Sequence, residues 1–189
     1  MIELALVPAR TALLVVDVQE RLAAVMPEEG LARAERNIGI LAELARRTNM
    51  PVVLSEQYPR GLGPTTRPIL DALAPLGSTV HRLEKIDFSV CDAPAFAEVR
   101  ARVDRPDWIV CGMEAHICVY QTVRRMVAEG ANVHVPVDAV ISRIPDNRRV
   151  GIDLMRTAGA IISSTETIVF DALGCAGTDD FKAMSKLVR

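Results

Sequence analysis

Cys118, Asp17 and Lys85 are the side chains of this 189-residue sequence whose types and settings could make and break a bond. Cys118 stands in the run WIVCGMEAHICVYQ, from Trp108 to Gln121. That run reads as a buried strand, Trp108 to Cys111, followed by a sharp corner, Gly112-Met113-Glu114-Ala115-His116. A helix comes next, with Cys118 in its first turn. Val119, Val123, Met126 and Val127 recur at helical spacing and give that helix an inward face. A thiol at a helix N-terminus meets the positive end of the macrodipole and unpaired backbone N–H groups. Both favour thiolate, the nucleophilic form, and the same N–H groups can hold a developing oxyanion. The competing reading is a small buried core residue, the common fate of a cysteine in apolar surroundings.

Asp17 closes an apolar run that begins at Ala12, and a carboxylate there is costly to bury unless paired. It either caps a helix or loop, or it serves a site. Gln19 follows, a neutral polar group suited to line a site or to hold a loop. No GxGxxG comes after this strand, so dinucleotide binding loses its usual support. Lys85 lies just past a third strand, in Glu-Lys-Ile-Asp-Phe-Ser. Most lysines are solvated, but Ile86 and Phe88 make this more than a plain surface turn. A lysine beside a thiol and a carboxylate lowers the thiol pKa and keeps the acid charged.

The elements that must position these groups alternate along the chain. Ala12 to Val18 suits a central parallel strand covered on both faces. Leu31, Ala34, Ile38, Leu41 and Ala45 mark one face of a helix that ends before Pro51. Pro51 to Glu56 is a second strand, and the Gly- and Pro-rich run Gln57 to Pro64 a loop. Tyr58 in that loop either lines a pocket or packs the loop down. Thr66 to Leu73 reads as a short helix and Ser78 to Leu83 as the third strand. Another helix runs from Asp92 or Ala93 to Val103, with Pro94 tolerated in its first turn. Beyond the Cys118 helix come a strand at Asn132 to Val137, a loop at Asp138 to Arg143 and a helix at Asn147 to Ala158. The sixth strand is Ala160 to Ser164, and Ser164-Thr165-Glu166-Thr167 caps the helix after it. Phe181 to Leu187 is a short terminal helix.

Strand and helix in alternation imply an α/β fold: a three-layer α/β/α sandwich around a mostly parallel six-stranded sheet, built as one domain over residues 1–189. Right-handed crossovers bring every strand's C-terminal end to one edge, where sites in such folds lie. Asp17, Lys85 and Cys118 all fall at that edge.

Bulk properties narrow the classes further. The 22 basic and 24 acidic residues leave a formal charge of -2. With no basic block and few aromatic residues, the chain has no electrostatic footprint for nucleic acid. Cysteines 91, 111, 118 and 175 form neither a CxxC pair nor a zinc spacing. No signal-peptide pattern and no run long enough to span a bilayer occur, so the expected setting is cytoplasmic, with no membrane partner. Small size and apolar composition suggest a homo-oligomer.

Taken in order, Val-Val-Asp-Val-Gln ending at Gln19, the Glu-Lys of 84–85 and Gly-Met-Glu-Ala-His-Ile-Cys-Val from 112 to 119 resemble the isochorismatase-like cysteine hydrolases. That family includes nicotinamidases, N-carbamoylsarcosine amidases and related amidohydrolases. The runs Ser-Glu-Gln-Tyr-Pro-Arg-Gly-Leu-Gly-Pro and Glu-Ala-His-Ile-Cys-Val look most like its uncharacterised isochorismatase-domain hydrolase branch. The resemblance covers nearly the whole chain. It implies a catalytic triad of Asp17, Lys85 and Cys118, and a cis peptide at Met113–Glu114 before the elbow. One departure stands out. Nicotinamidases hold a divalent metal through an aspartate and histidines after the second strand, where this chain reads Glu56-Gln57-Tyr58, so no metal and no other cofactor is expected. His81 and His134 fall in strands and read as structural.

The mechanism so implied is hydrolysis of a small-molecule amide or related C–N bond through a thioester. Asp17 takes the thiol proton, Cys118 attacks, and the backbone N–H groups of Glu114 and Cys118 hold the oxyanion. Gln19, Tyr58, Phe88 and His116 are the pocket candidates. Two alternatives stand beside it. One is a non-covalent vinyl-ether hydrolase in which Asp17 is the general acid. The other is a non-catalytic scaffold or thiol sensor on the same fold.

Overall fold

The two strands at the centre of the sheet, Thr11–Val16 and Asp107–Met113, are buried at every position, as strands covered on both faces must be. The structure, a computed structural model, describes residues 4–189. In chain order the regular elements are β1 (Thr11–Val16), α1 (Glu20–Ala23), α2 (Glu28–Thr48), β2 (Val52–Gln57), α3 (Pro59–Leu62), α4 (Arg67–Leu73), β3 (Val80–Lys85), α5 (Pro94–Val103) and β4 (Asp107–Met113). A π-helical turn, Ala115–Val119, leads into α6 (Tyr120–Ala128). Then follow β5 (Asn132–Pro136), β6 (Val140–Ile141), α7 (Pro145–Thr157), β7 (Ile161–Ser163), α8 (Thr165–Leu173) and α9 (Asp179–Leu187).

The sheet runs β3-β2-β1-β4-β5-β7, with β6 beside β4, and every pairing is parallel. Alternate residues of β1 serve opposite layers. Leu13 and Val15 pack under α2, α4, α8 and α9, against residues such as Ile38, Leu41, Ile69, Val169 and Met184. Ala12, Leu14 and Val16 face α5, α6 and α7 through Phe96, Val123 and Met155. The result is the expected α/β/α sandwich.

Local chemistry sets the ends of the elements. The 21-residue α2 opens on Glu28 and Glu29 and closes on Arg46 and Arg47, each matched to its end of the helix dipole. Asn49 ends it in the left-handed conformation, φ 56°. Ser164 caps α8 by accepting from the Thr167 N–H.

Three expectations need correction. The sheet has seven strands, because Val140–Ile141 lies within the expected loop 138–143 yet pairs with Gly112 and Met113. It takes up the C-terminal half of β4 after β5 has paired with the other half, Asp107 to Ile109. The loop 57–64 contains the single-turn helix α3, begun at Pro59. The elbow also differs, since β4 continues through Met113 and Cys118 sits in the π-helical turn ahead of the regular helix.

Candidate active site

Strand order reverses about β1 and β4, and the sheet's C-terminal edge at that point is where ligands enter open α/β folds. Asp17 leaves β1 there with φ 51°, in the left-handed region, which aspartate tolerates better than most residues. Its N–H donates to Ser55 O at 3.1 Å. Its carboxylate receives Ser55 Oγ on Oδ1 at 2.7 Å and Lys85 Nζ on Oδ2 at 2.6 Å. Both side chains of the Asp17–Lys85 ion pair are fully shielded from solvent.

Lys85 is the last residue of β3. Its ammonium also donates to Gln57 Oε1 at 2.8 Å, Phe88 O at 3.1 Å and Asp87 O at 3.2 Å. Gln57 is opposite Lys85 in the β2–β3 register and sends its own amide N–H to Ile86 O. One glutamine thus holds the lysine head and the start of the next loop. Sequence reading passed over Ser55 and Gln57. The available signal was alternation along β2, which puts both on one face, at the end of the strand between β1 and β3.

Cys118 is 5% exposed and faces the same pair. Burial pushes its thiol up to about 12, and the Asp17 carboxylate pushes the same way, both by its charge and by a hydrogen bond. Lys85 pulls it down, and Glu114 adds a further upward push. The pull of the helix terminus toward thiolate is therefore outweighed here. In the protein at rest, desolvation and the neighbouring carboxylate outweigh Lys85, and the sulfur keeps its proton next to a base.

The turn that carries Cys118 is fixed from several sides. The Met113–Glu114 peptide is cis. Glu114 O accepts from Ile117 N at 3.0 Å and from Val119 N at 3.3 Å, while the buried Glu114 carboxylate takes Arg143 N at 2.9 Å and Arg143 Nη1 at 2.6 Å. Gly112 has φ 116°, and a Cβ there would lie 2.1 Å from Val16 O, so only glycine lets β4 run this close to β1 just before Asp17. Gly151 in α7 does the same for the elbow, where a Cβ would meet Ala115 O at 2.8 Å.

The four pocket candidates fare differently. Gln19 is fully buried, bonded to the backbone of the loop after β2. Its Nε2 donates to Gln57 O at 3.0 Å and to Gly63 O at 2.7 Å, and its Oε1 accepts from Gln57 N at 2.7 Å. Of its two possible uses, it has the loop-holding one. Glu56 assists, accepting from Thr65 N at 2.7 Å and Thr65 Oγ1 at 2.6 Å. Tyr58 and Phe88 are about half exposed, on the loops that follow β2 and β3. Their backbones touch the lysine, since Tyr58 N donates to Lys85 O at 2.8 Å and Phe88 O accepts from Nζ. His116 is held away from the acid–lysine pair, with Nδ1 3.0 Å from Ser142 Oγ and Nε2 3.4 Å from Asn147 Nδ2. His134 is buried in β5 and His81 lies in β3. Among the described residues no three His, Cys, Asp or Glu side chains gather where a metal ion could be held.

Such a site can move a proton from a thiol to a carboxylate whose charge a lysine offsets. Comparison with known proteins bears on what that serves. Residues 11–167 match the family model of the isochorismatase domain. Isochorismatase domain-containing protein 2 of Bos taurus is 36% identical over 149 residues, 79% of this chain and 70% of its own. The structure described as the MAR1 ribonuclease of Caenorhabditis elegans is 32% identical, with a TM-score of 0.87 over 97% of this chain and 92% of that one. The YcaC protein of Escherichia coli, described as an octameric hydrolase of unknown specificity, shares the fold with a TM-score of 0.86 at 18% identity, covering 98% of this chain and 91% of that one.

Proposed function

The chain belongs to the isochorismatase domain family, and from that premise we propose that it is a cysteine hydrolase of small amides or related C–N bonds. One observation carries the reading: a buried, lysine-paired carboxylate stands beside a thiol that retains its proton. Residues 1–189 act in it as one domain.

Asp17 accepts the S–H proton as Cys118 Sγ attacks the substrate carbonyl carbon. Transfer of the proton as the C–S bond forms removes the need for a standing thiolate, which burial makes costly. The backbone N–H groups of Glu114 and Cys118 hold the oxyanion, each donor worth about 2.7–4 kcal/mol in sites of this kind. As the C–N bond breaks, the proton on Asp17 passes to the leaving amine and the acyl group remains as a thioester. Water then attacks the thioester, Asp17 takes its proton, and the carboxylic acid leaves as that proton returns to sulfur. Lys85 balances the charge on Asp17 between steps, and Tyr58, Phe88 and His116 border the substrate.

A second reading draws on the same thiol. A sulfur that stays protonated also suits a non-covalent vinyl-ether hydrolase in which Asp17 alone moves the proton. Incubation with a panel of small amides and vinyl ethers, reading release of ammonia or of a carbonyl product and the intact mass of the protein, separates the two. An acyl adduct on the wild type, absent from Cys118→Ala together with turnover, is the expected result. Vinyl-ether turnover that persists in Cys118→Ala and disappears in Asp17→Asn moves the assignment to the second reading.

Three settings complete the proposal. Near-equal basic and acidic counts favour a small neutral substrate over RNA, despite the ribonuclease description of the nematode neighbour. All four cysteines are free, and among the described residues no helix is long and apolar enough to cross a membrane; both support a cytoplasmic location. The protein works as a homo-oligomer, a reading supported by the octameric E. coli neighbour.

A further inference from the structure

β3 is an edge strand, paired among the described residues to β2 alone. Because Tyr58 N donates to Lys85 O, the backbone groups of Lys85 face β2, and strand alternation turns those of Leu83 and His81 the same way. The N–H and C=O groups of Arg82 and Glu84 therefore point outward, away from the sheet. Both side chains are exposed and, among the described residues, neither has an ion pair or a side-chain hydrogen bond. Charged residues on an edge usually keep other strands away. These two have opposite signs and flank Leu83 symmetrically, which makes the edge complementary to itself.

We propose that β3 pairs antiparallel with β3 of a second copy of this chain, centred on Leu83. Arg82 then lies opposite Glu84 of the partner subunit, and the two-fold axis repeats the pair. The outward backbone groups of these residues meet as the hydrogen-bonded pairs of an antiparallel ladder. Charge selects the register. Sliding the partner by two residues either way sets Arg82 against the partner's Arg82, or Glu84 against the partner's Glu84, and like charges directly opposite are destabilising. The chosen register also covers Ile86, 71% exposed and directly after the strand, with Val80 of the partner subunit. Ile86 opens the segment whose Asp87 and Phe88 carbonyls receive Lys85 Nζ, so the contact would steady one wall of the proposed site.

This inference rests on the homo-oligomer reading and names its contact. Sedimentation velocity on the intact protein tests it. Wild type is expected to be a dimer or a larger even assembly. Arg82→Glu and Glu84→Arg, each alone, should weaken association by about tenfold or more, since two attractive cross-strand pairs become repulsive. The double variant Arg82→Glu/Glu84→Arg should restore it, and unchanged far-UV circular dichroism should show that every variant is folded. A monomeric wild type overturns this inference and the oligomer reading together. An assembly that either single reversal leaves intact, or that the double exchange does not restore, overturns the β3 contact and leaves the oligomer reading standing.

Discussion

Lys85 Nζ lies 2.6 Å from Asp17 Oδ2, and neither side chain reaches solvent. Charges are buried together because each makes the other tolerable. Removing one leaves the second desolvated and unpaired, at a cost of about 3–5 kcal/mol. Lys85→Ala should therefore lower stability by that order in urea unfolding, and should abolish turnover. Lys85→Ala/Asp17→Asn should recover part of the stability and none of the turnover. A single variant as stable as wild type would show that the pair carries no such mutual dependence.

Gln57 is the hinge between the lysine and its loop. It accepts from Lys85 Nζ at 2.8 Å and donates to Ile86 O. Gln57→Leu keeps the approximate volume and removes both bonds. A buried polar group left without its partner costs about 1–3 kcal/mol. The variant should lose that much stability, and its kcat should fall more than its KM rises, because the misplaced group is the lysine. Steady-state kinetics beside urea unfolding checks this, and an unchanged kcat would relegate Gln57 to a purely structural part.

Asp17, Lys85 and Cys118 could be singled out in the sequence because each stands at or just beyond the C-terminal end of a strand, and parallel topology sends all such ends to one edge. For Ser55 and Gln57 alternation along VVLSEQ marks only a shared face; what they do there comes from the register that sets Ser55 beside Val16 and Gln57 beside Lys85. The two-residue β6 is too short for any periodicity to mark. Gln19 was legible as a useful amide, but whether it faced a pocket or a loop depended on where Gly63 returned. The charge state of Cys118 is not legible in the sequence for a comparable reason. A helix terminus is written locally, whereas burial beneath other elements is a property of the whole fold.

Gly151 lies far from Cys118 in sequence, yet a Cβ on it would come within 2.8 Å of Ala115 O and of His116 Cα. These are backbone atoms of the turn that holds the thiol, so no side chain can swing aside. Gly151→Ala should force α7 outward at a cost of about 1–3 kcal/mol, the usual range for overpacking. The displaced turn should also cut turnover. A crystal structure of the variant with the Ala115–Val119 turn unmoved, together with wild-type activity, would count against this coupling.

The ionisation of Cys118 leads to two measurements of opposite sense from those a pre-formed thiolate would give. With the thiol pushed from an ordinary 9.0 up to about 12, alkylation of Cys118 by iodoacetamide should be slow at neutral pH and should still be rising above pH 9. An inflection well below that ordinary value would mean that Lys85 outweighs burial after all. Stability follows by linkage. Below pH 9 the folded and unfolded chains both carry the thiol proton, so the thiol contributes no pH dependence. Between 9 and about 12 the unfolded chain releases the proton while the folded chain keeps it, so the folded state binds more protons and unfolding free energy falls as pH rises. Cys91, raised to about 11 chiefly by burial, and the wholly buried Cys111, raised by burial, add to the same decline. Urea midpoints measured from pH 8 to 10.5 should fall along this course, and Cys118→Ala should shallow the slope without removing it. An equal slope in the variant would show that Cys118 titrates alike in both states, and the picture of a protonated thiol held beside Asp17 would have to be abandoned.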